Sequence, residues 1–320
     1  MRTDDRQPSQ SQGKYRVTNW PEYNAGLIRR GDVTVWLDER LLAPQGALAP
    51  GQLGRPRCYA DPVIQMLLSL KSVFRLPLRA LQGFAQSLCR LVLPELSVPN
   101  YTTLSRRAQT LEVELPVLRD PLEPIHLLVD STGLKLFGEG EWKVRKHGWA
   151  KRRSWRKLHL GMDGKTGQVC AVLLTHRDVD DAAVLPDLLE QVPAQTPIEV
   201  VAGDGAYDTK AARAAVAERG AQALIPPVAA AVHWPDSLPG ARQRNEAIDA
   251  IAQDGKPQWK HDSGYHERSL VENLMYRFKT LTGDRLWARH VDAQDAEVAV
   301  RVGIVNRMLA VARPNSVRVA

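Results

Sequence analysis

The chain has 320 residues, 44% hydrophobic and 25% charged, which is ordinary for a globular protein and enough to bury a real core. A net charge of +7 favours a polyanionic partner, and three cysteines (Cys58, Cys89, Cys170) with no C-x-x-C pair argue against a disulfide framework or a zinc knuckle and fit a reducing cytoplasm. The polar start MRTDDRQPSQSQGK has no apolar signal core and no run of eighteen apolar residues occurs, so neither a secretory signal nor a membrane span is expected.

Residues 1–14, rich in Gln, Ser and charge, read as a disordered tail. Residues 15–120 read as mostly helical. DPVIQMLLSLKSVF and LPLRALQGFAQSLCRLVL carry apolar residues at helical spacing, with Asp61 placed to cap the first and the Leu76-Pro77 step breaking the run. SVPNYTTLSRRAQTL then offers a turn at Pro99 and Asn100, a threonine cap at 102 or 103, and a short helix bearing Arg106 and Arg107. Two helices, a turn and a polar-basic helix outline a helix-turn-helix reader of DNA. A plain helical bundle fits the same pattern.

The periodicity changes near residue 124. IHLLVDSTGLKLF is an apolar run of strand type. Close behind it, Trp142 to Lys157 (WKVRKHGWAKRRSWRK) holds eight Lys or Arg and no acid: Lys143, Arg145, Lys146, Lys151, Arg152, Arg153, Arg156 and Lys157. Such side chains release counterions from DNA, and the interleaved Trp142, Trp149 and Trp155 can stack on unpaired bases. A solvated hairpin with its tryptophans pinned to the core is the other reading. RKLHLGMDGKTGQVCAVLLTH predicts two strands around a turn, with His159 as a strand residue. DAAVLPDLLEQV is helical, with Asp178, Asp180 and Asp181 in the loop and helix start before it. IEVVAGDGAYD is a strand ending in Asp204, TKAARAAVAERG a helix capped by Asp208, and AQALIPP a short strand. A hairpin feeding into alternating helix and strand gives a mixed sheet with helices on its faces. Residues 228–262, with Pro235, Pro239 and Pro257, are low in pattern and read as an insertion. Trp234 and Trp259 lie there as candidates for stacking on DNA.

YHERSLVENLMYRFK opens the next helix. Tyr265, Arg268 and Lys279 stand at −7, −4 and +7 from Glu272, offsets that share one helical face. A face of Tyr, Arg, Glu and Lys is not a core stripe. Ser269 and Glu272 also fit a capping box, in which Glu272 merely ties off the helix start. DAQDAEVAVRVGIVNRMLAVA near the end reads as a packing helix.

Asp130 and Asp204 each close an apolar strand, where side chains face the crevice of an open sheet. Three carboxylates converging with Glu272 would repel by on the order of 4 kcal/mol per pair at about 4 Å. A divalent cation removes that penalty, and all-oxygen ligands favour Mg²⁺ or Mn²⁺ over Zn²⁺. Two such ions serve phosphodiester chemistry.

Y-x2-R-x3-E-x6-K is satisfied in full by Tyr265, Arg268, Glu272 and Lys279. It resembles the signature of bacterial insertion-sequence DDE transposases. LLVDSTGLKLFGEGEWKVRKHG and GDGAYDT resemble the blocks holding that family's two aspartates in its insertion-sequence-five branch. The likeness runs from about residue 18 onward. It implies a ribonuclease-H-like α/β core over 121–320, with the insertion at 228–262 before the last catalytic helix. It also implies an N-terminal helical region, 15–120, that binds terminal inverted repeats. Asp130, Asp204 and Glu272 would be the catalytic triad and the ligands of two Mg²⁺ or Mn²⁺ ions. Arg268 and Lys279, supported by Tyr265, would hold DNA phosphates. The implied partners are double-stranded DNA and a second copy of the chain, in a cytoplasmic, nucleoid-associated setting. A nuclease of the same fold and a non-catalytic DNA-binding regulator are the alternatives.

Overall fold

The computed structural model describes residues 14–36, 59–92, 97–113, 115, 122–136 and 155–319. Residues 1–13 of the expected tail lie outside the described residues, as does the basic segment from Trp142 to Ser154 with Lys143, Arg145, Lys146, Lys151, Arg152 and Arg153.

The expected helical region opens on a strand: β1 (Lys14–Val17) pairs antiparallel with β8 (Ser316–Val319). Then come α1 (Trp20–Arg29), α2 (Asp61–Val73), α3 (Leu78–Val92) and α4 (Tyr101–Arg107). Two caps differ from expectation. Asp61 is the first residue of α2 and pairs with Arg107, and Ala60 stands at the cap position. Asn100 caps α4, its side chain accepting from the Thr103 amide at 2.8 Å and from the Thr102 hydroxyl at 2.6 Å. Asparagine competes well with threonine at this position, because its oxygen reaches the third residue of the helix.

The main sheet takes β2 (Ile125–Leu136), β3 (Trp155–Asp163), β4 (Val169–His176), β5 (Ile198–Ala202) and β6 (Gln222–Leu224) in the order β4-β3-β2-β5-β6. The hairpin strands β2, β3 and β4 are antiparallel, and β2, β5 and β6 are parallel. This is the mixed sheet expected of a ribonuclease-H-like core. Helices α5 (Asp181–Glu190) and α6 (Lys210–Glu218) follow β4 and β5 and cover one face. There Ile125, Leu127 and Val129 pack with Leu185, Leu188 and Val216. On the other face Leu128, Leu134, Leu158 and Leu160 meet α9 (Ser269–Thr282) and α10 (Val291–Val311). A central strand buried on both faces explains the continuous apolar run in HLLV. The two-residue β7 (Arg285–Leu286) joins β2 at Lys135 and Leu136.

The 228–262 segment holds α7 (Ala241–Asp254) and α8 (Lys256–Asp262). Helix α7 buries few apolar residues, so periodicity is weak there, and Pro257 sits in the first turn of α8, where proline is tolerated. Helix α10 is buried on both sides: Val298 and Val302 face the sheet, while Ala296, Val300 and Ile304 face α2, α3 and α4. No helix among the described residues is long and apolar enough to cross a membrane.

Candidate active site

Strand alternation places Leu128, Asp130, Thr132 and Leu134 on the α9 face of β2. Leu128 pairs with Ala202, the last residue of β5, so Asp130 and Asp204 lie at matching positions of adjacent parallel strands; Asp204 lies just past the end of its strand, whereas Asp130, expected to close its strand, sits inside β2, which runs on to Leu136 through its pairing with β3. Asp130 Oδ1 accepts from the Ser131 amide at 2.8 Å. Asp204 Oδ1 accepts from the Ala206 amide at 2.9 Å and caps a 3₁₀ turn, Gly205–Tyr207. Gly203 is required before it, since a Cβ there would lie 2.9 Å from the Tyr207 ring.

Glu272 approaches from across the sheet in the first turn of α9, which Val271, Leu274 and Phe278 anchor to the core. Tyr265 and Arg268 belong to a 3₁₀ turn, Tyr265–Arg268, that runs straight into α9 and keeps all four signature residues together. The capping box is not made: Ser269 Oγ donates to the His266 carbonyl at 2.9 Å, and Glu272 accepts from Arg268. One guanidinium joins two of the three acids, with Arg268 Nη1 3.0 Å from Asp130 Oδ2 and Nη2 2.5 Å from Glu272 Oε1. Lys279 Nζ donates to Thr132 Oγ1 at 2.6 Å. Thr132 was not singled out from the sequence, although its position two residues after Asp130 puts it on the same face.

Burial pushes the Asp130 carboxyl above the usual carboxylate value, and neighbouring Asp204 adds to the rise against the opposing Ser131 amide and Arg268. Burial works to lower the Arg268 guanidinium, but Tyr265, Asp130 and Glu272 outweigh it and hold it above the ordinary arginine value. Tyr265 is buried, its ring 5.7 Å from that of Trp259 and 6.0 Å from the Arg268 guanidinium carbon. Trp259 is therefore part of the core beneath the site, and Trp234 lies 4.0 Å under the guanidinium of Arg244. Neither is a bare ring.

Among the described residues no three His, Cys, Asp or Glu groups close on one point, and Arg268 stands between Asp130 and Glu272. The donor set still fits a hard cation. It is all oxygen, and burial, with a smaller addition from Asp204, holds the Asp130 carboxyl above its usual value.

The other expected DNA contacts divide. Arg106 is exposed, whereas Arg107 is turned inward, donating to the Tyr59 carbonyl at 2.7 Å and pairing with Asp61. Asp208 is not the cap of α6. Thr209 is, accepting from the Ala212 amide at 3.2 Å, and Asp208 is buried between Arg213 and Arg244. His159 is a fully buried strand residue bonded to Thr175 at 2.8 Å, as its sequence context predicts.

Residues 121–307 match a family model described as Transposase DDE domain, and residues 28–139 match a second family model with the same description. No solved structure matches the chain at a significant level.

Proposed function

The chain belongs to the DDE transposase family, and we propose that it cleaves the ends of an insertion element of the insertion-sequence-five branch and joins the freed 3′-hydroxyl to target DNA. A water attacks the phosphodiester at the element end in the first step, and the released 3′-hydroxyl attacks target DNA in the second. Asp130, Asp204 and Glu272 would hold the divalent ions that this family uses, two Mg²⁺ or Mn²⁺. When bound, those ions supply positive charge for the attacking and leaving oxygens.

The chain's own residues do the rest. Arg268 leaves its carboxylates for a DNA phosphate, to which a guanidinium can donate twice. Tyr265 limits where that side chain can go. Lys279 contributes a point charge next to Thr132 on the floor of the site. The helical region 15–120 contacts the terminal inverted repeats, with the exposed Arg106 on α4 among its phosphate contacts, and the basic residues between Trp142 and Lys157 add positive charge for DNA binding. Two element ends call for a dimer or larger assembly on DNA, within the nucleoid of a bacterial cytoplasm.

The carrying observation is that a single guanidinium reaches both Asp130 and Glu272 while Asp204 leaves the neighbouring strand at the matching position. Asp130→Ala, Asp204→Ala and Glu272→Ala should each abolish cleavage of an end-containing duplex, a loss of at least about a thousandfold, or roughly 4 kcal/mol. Binding of that duplex should survive. Near-normal cleavage by any one variant would remove that residue from the triad. A pre-cleaved end offered with target DNA separates a transposase, which joins them, from a nuclease of the same fold, which does not.

A further inference from the structure

Among the described residues Arg268 is the one cation paired with the three acids. Its fork is divided between two of them: Nη1 donates to Asp130 Oδ2 at 3.0 Å and Nη2 to Glu272 Oε1 at 2.5 Å. The other Asp130 oxygen accepts from the Ser131 amide at 2.8 Å, so both oxygens of that carboxylate are in use. Asp204 has one oxygen on the Ala206 amide and pairs with no cation among the described residues. Lys279, the other base of this face, donates to Thr132 Oγ1 at 2.6 Å and pairs with no acid among them.

A divalent ion held by Asp130 and Glu272 needs the oxygens that this guanidinium occupies. Its affinity is therefore reduced by the cost of displacing two charge-assisted hydrogen bonds. A DNA phosphate draws on the same guanidinium, whose planar fork matches phosphate as well as carboxylate. Charge decides the direction of the effect. Guanidinium and ion compete for the carboxylates, while carboxylates and phosphate compete for the guanidinium. Ion and phosphate each release what the other needs. Lys279 has no such part, since it holds neither acid.

We propose that Arg268 couples metal loading to DNA occupancy: without DNA its guanidinium covers Asp130 and Glu272 against divalent ions, and a DNA phosphate that takes the guanidinium opens them. Linkage makes the effect reciprocal, with DNA and ions each tightening the other by the same factor, typically about 5–150-fold for coupled sites. This rests on the reading of Asp130, Asp204 and Glu272 as metal ligands, and adds to it a control of when those ligands are free.

The test measures Mn²⁺ binding to the full chain from the electron paramagnetic resonance signal of the free ion, so no turnover is needed. The DNA is a pre-cleaved element end lacking its 3′-hydroxyl, which cannot be joined. Without DNA, Arg268→Gln should bind Mn²⁺ at least about fivefold tighter than the parent. Arg268→Lys keeps the charge, loses the fork and should fall between them. Lys279→Gln removes the same charge from the same face but no bridge, and should change the affinity less than Arg268→Gln does. DNA should raise the parent's affinity at least about fivefold and that of Arg268→Gln by a smaller factor. An equal rise in both chains means direct contact of phosphate and ion, and overturns the proposal. So does a DNA-free affinity unchanged in Arg268→Gln or matched by Lys279→Gln. If Arg268→Gln does not fold, unchanged affinity in Arg268→Lys overturns it instead. Asp130→Ala separates the two readings. If it loses Mn²⁺ while Arg268→Gln binds as the parent does, the coupling alone fails. If Mn²⁺ binding ignores Asp130→Ala, triad and coupling fail together.

Discussion

Two centres built from the same chemistry lie at either end of the stretch Asp204 to Asp208. At the first, one arginine, Arg268, is shared by two acids that remain partly open to solvent, the side chains of Asp130 and Glu272 being 19% and 57% exposed. At the second, one acid, Asp208, is shared by two arginines and is wholly buried. Its Oδ1 takes Arg213 Nε at 2.7 Å and Arg244 Nε at 2.9 Å, and its Oδ2 takes Arg244 Nη2 at 3.1 Å and the Val228 amide at 3.0 Å. Burial works to raise the Asp208 carboxyl, yet those hydrogen bonds hold it below the usual carboxylate value. The buried centre cannot exchange partners without stranding charge in the interior. The open one can, and an exchange of counter-charge is what phosphate and metal binding require. The contrast separates an acid that fixes structure from the acids proposed to do chemistry, although both kinds occur in GDGAYD.

Breaking the buried centre should cost most. Asp208→Ala leaves two guanidiniums unpaired and should lose about 3–5 kcal/mol in denaturant unfolding. Asp130→Ala should lose under about 1 kcal/mol while abolishing cleavage. A result in which both variants destabilise alike would erase the distinction.

A second buried group sharpens it on the opposite face of the sheet. Burial pushes His159 down to about 4, so the folded protein keeps it neutral where the unfolded chain, near 6.5, takes up a proton. Its contribution is therefore complete above pH 6.5 and is lost as pH falls towards 4, on the order of 2–3 kcal/mol. Unfolding midpoints at pH 7 and 4.5 should show that slope, and His159→Asn should flatten it.

The smallest effect belongs to the open centre. Arg268→Ala should change stability by less than about 1 kcal/mol, because Glu272 is largely solvated and the half-buried Asp130 can take up a proton when the guanidinium is gone. It should reduce the salt dependence of DNA binding by about one phosphate contact. A stability loss as large as that of Asp208→Ala would make Arg268 structural.

Much of this arrangement could be read in the chain. The succession of strands and helices after residue 124 follows from apolar runs, though the order of strands in the sheet does not, and Asp130 and Asp204 stand out because each closes such a run. The face shared by Tyr265, Arg268, Glu272 and Lys279 followed from helical spacing alone, and it persists across the 3₁₀-to-α junction. Caps were less legible: Asp61, Thr102 and Asp208 have suitable side chains, but tertiary partners or a better neighbour took the role. Asp208 is the instructive case. Its partners lie 5 and 36 residues away, and nothing local announces the second. Helix α7 escaped notice because a helix with few buried apolar positions shows little periodicity. The β1–β8 pairing escaped because four-residue strands with polar members give almost no pattern.

That last pairing has a mechanical consequence. In its register Lys14 lies opposite Val319 and Val17 opposite Ser316, so both strands enter the body of the molecule from the same end of the ladder. Tension applied between residues 14 and 319 would open the pairs one after another, like a zip, instead of shearing them all at once. Real resistance would begin only further in, where Arg30 grips the carbonyls of Met308 and Ala312 at 3.1 and 2.8 Å.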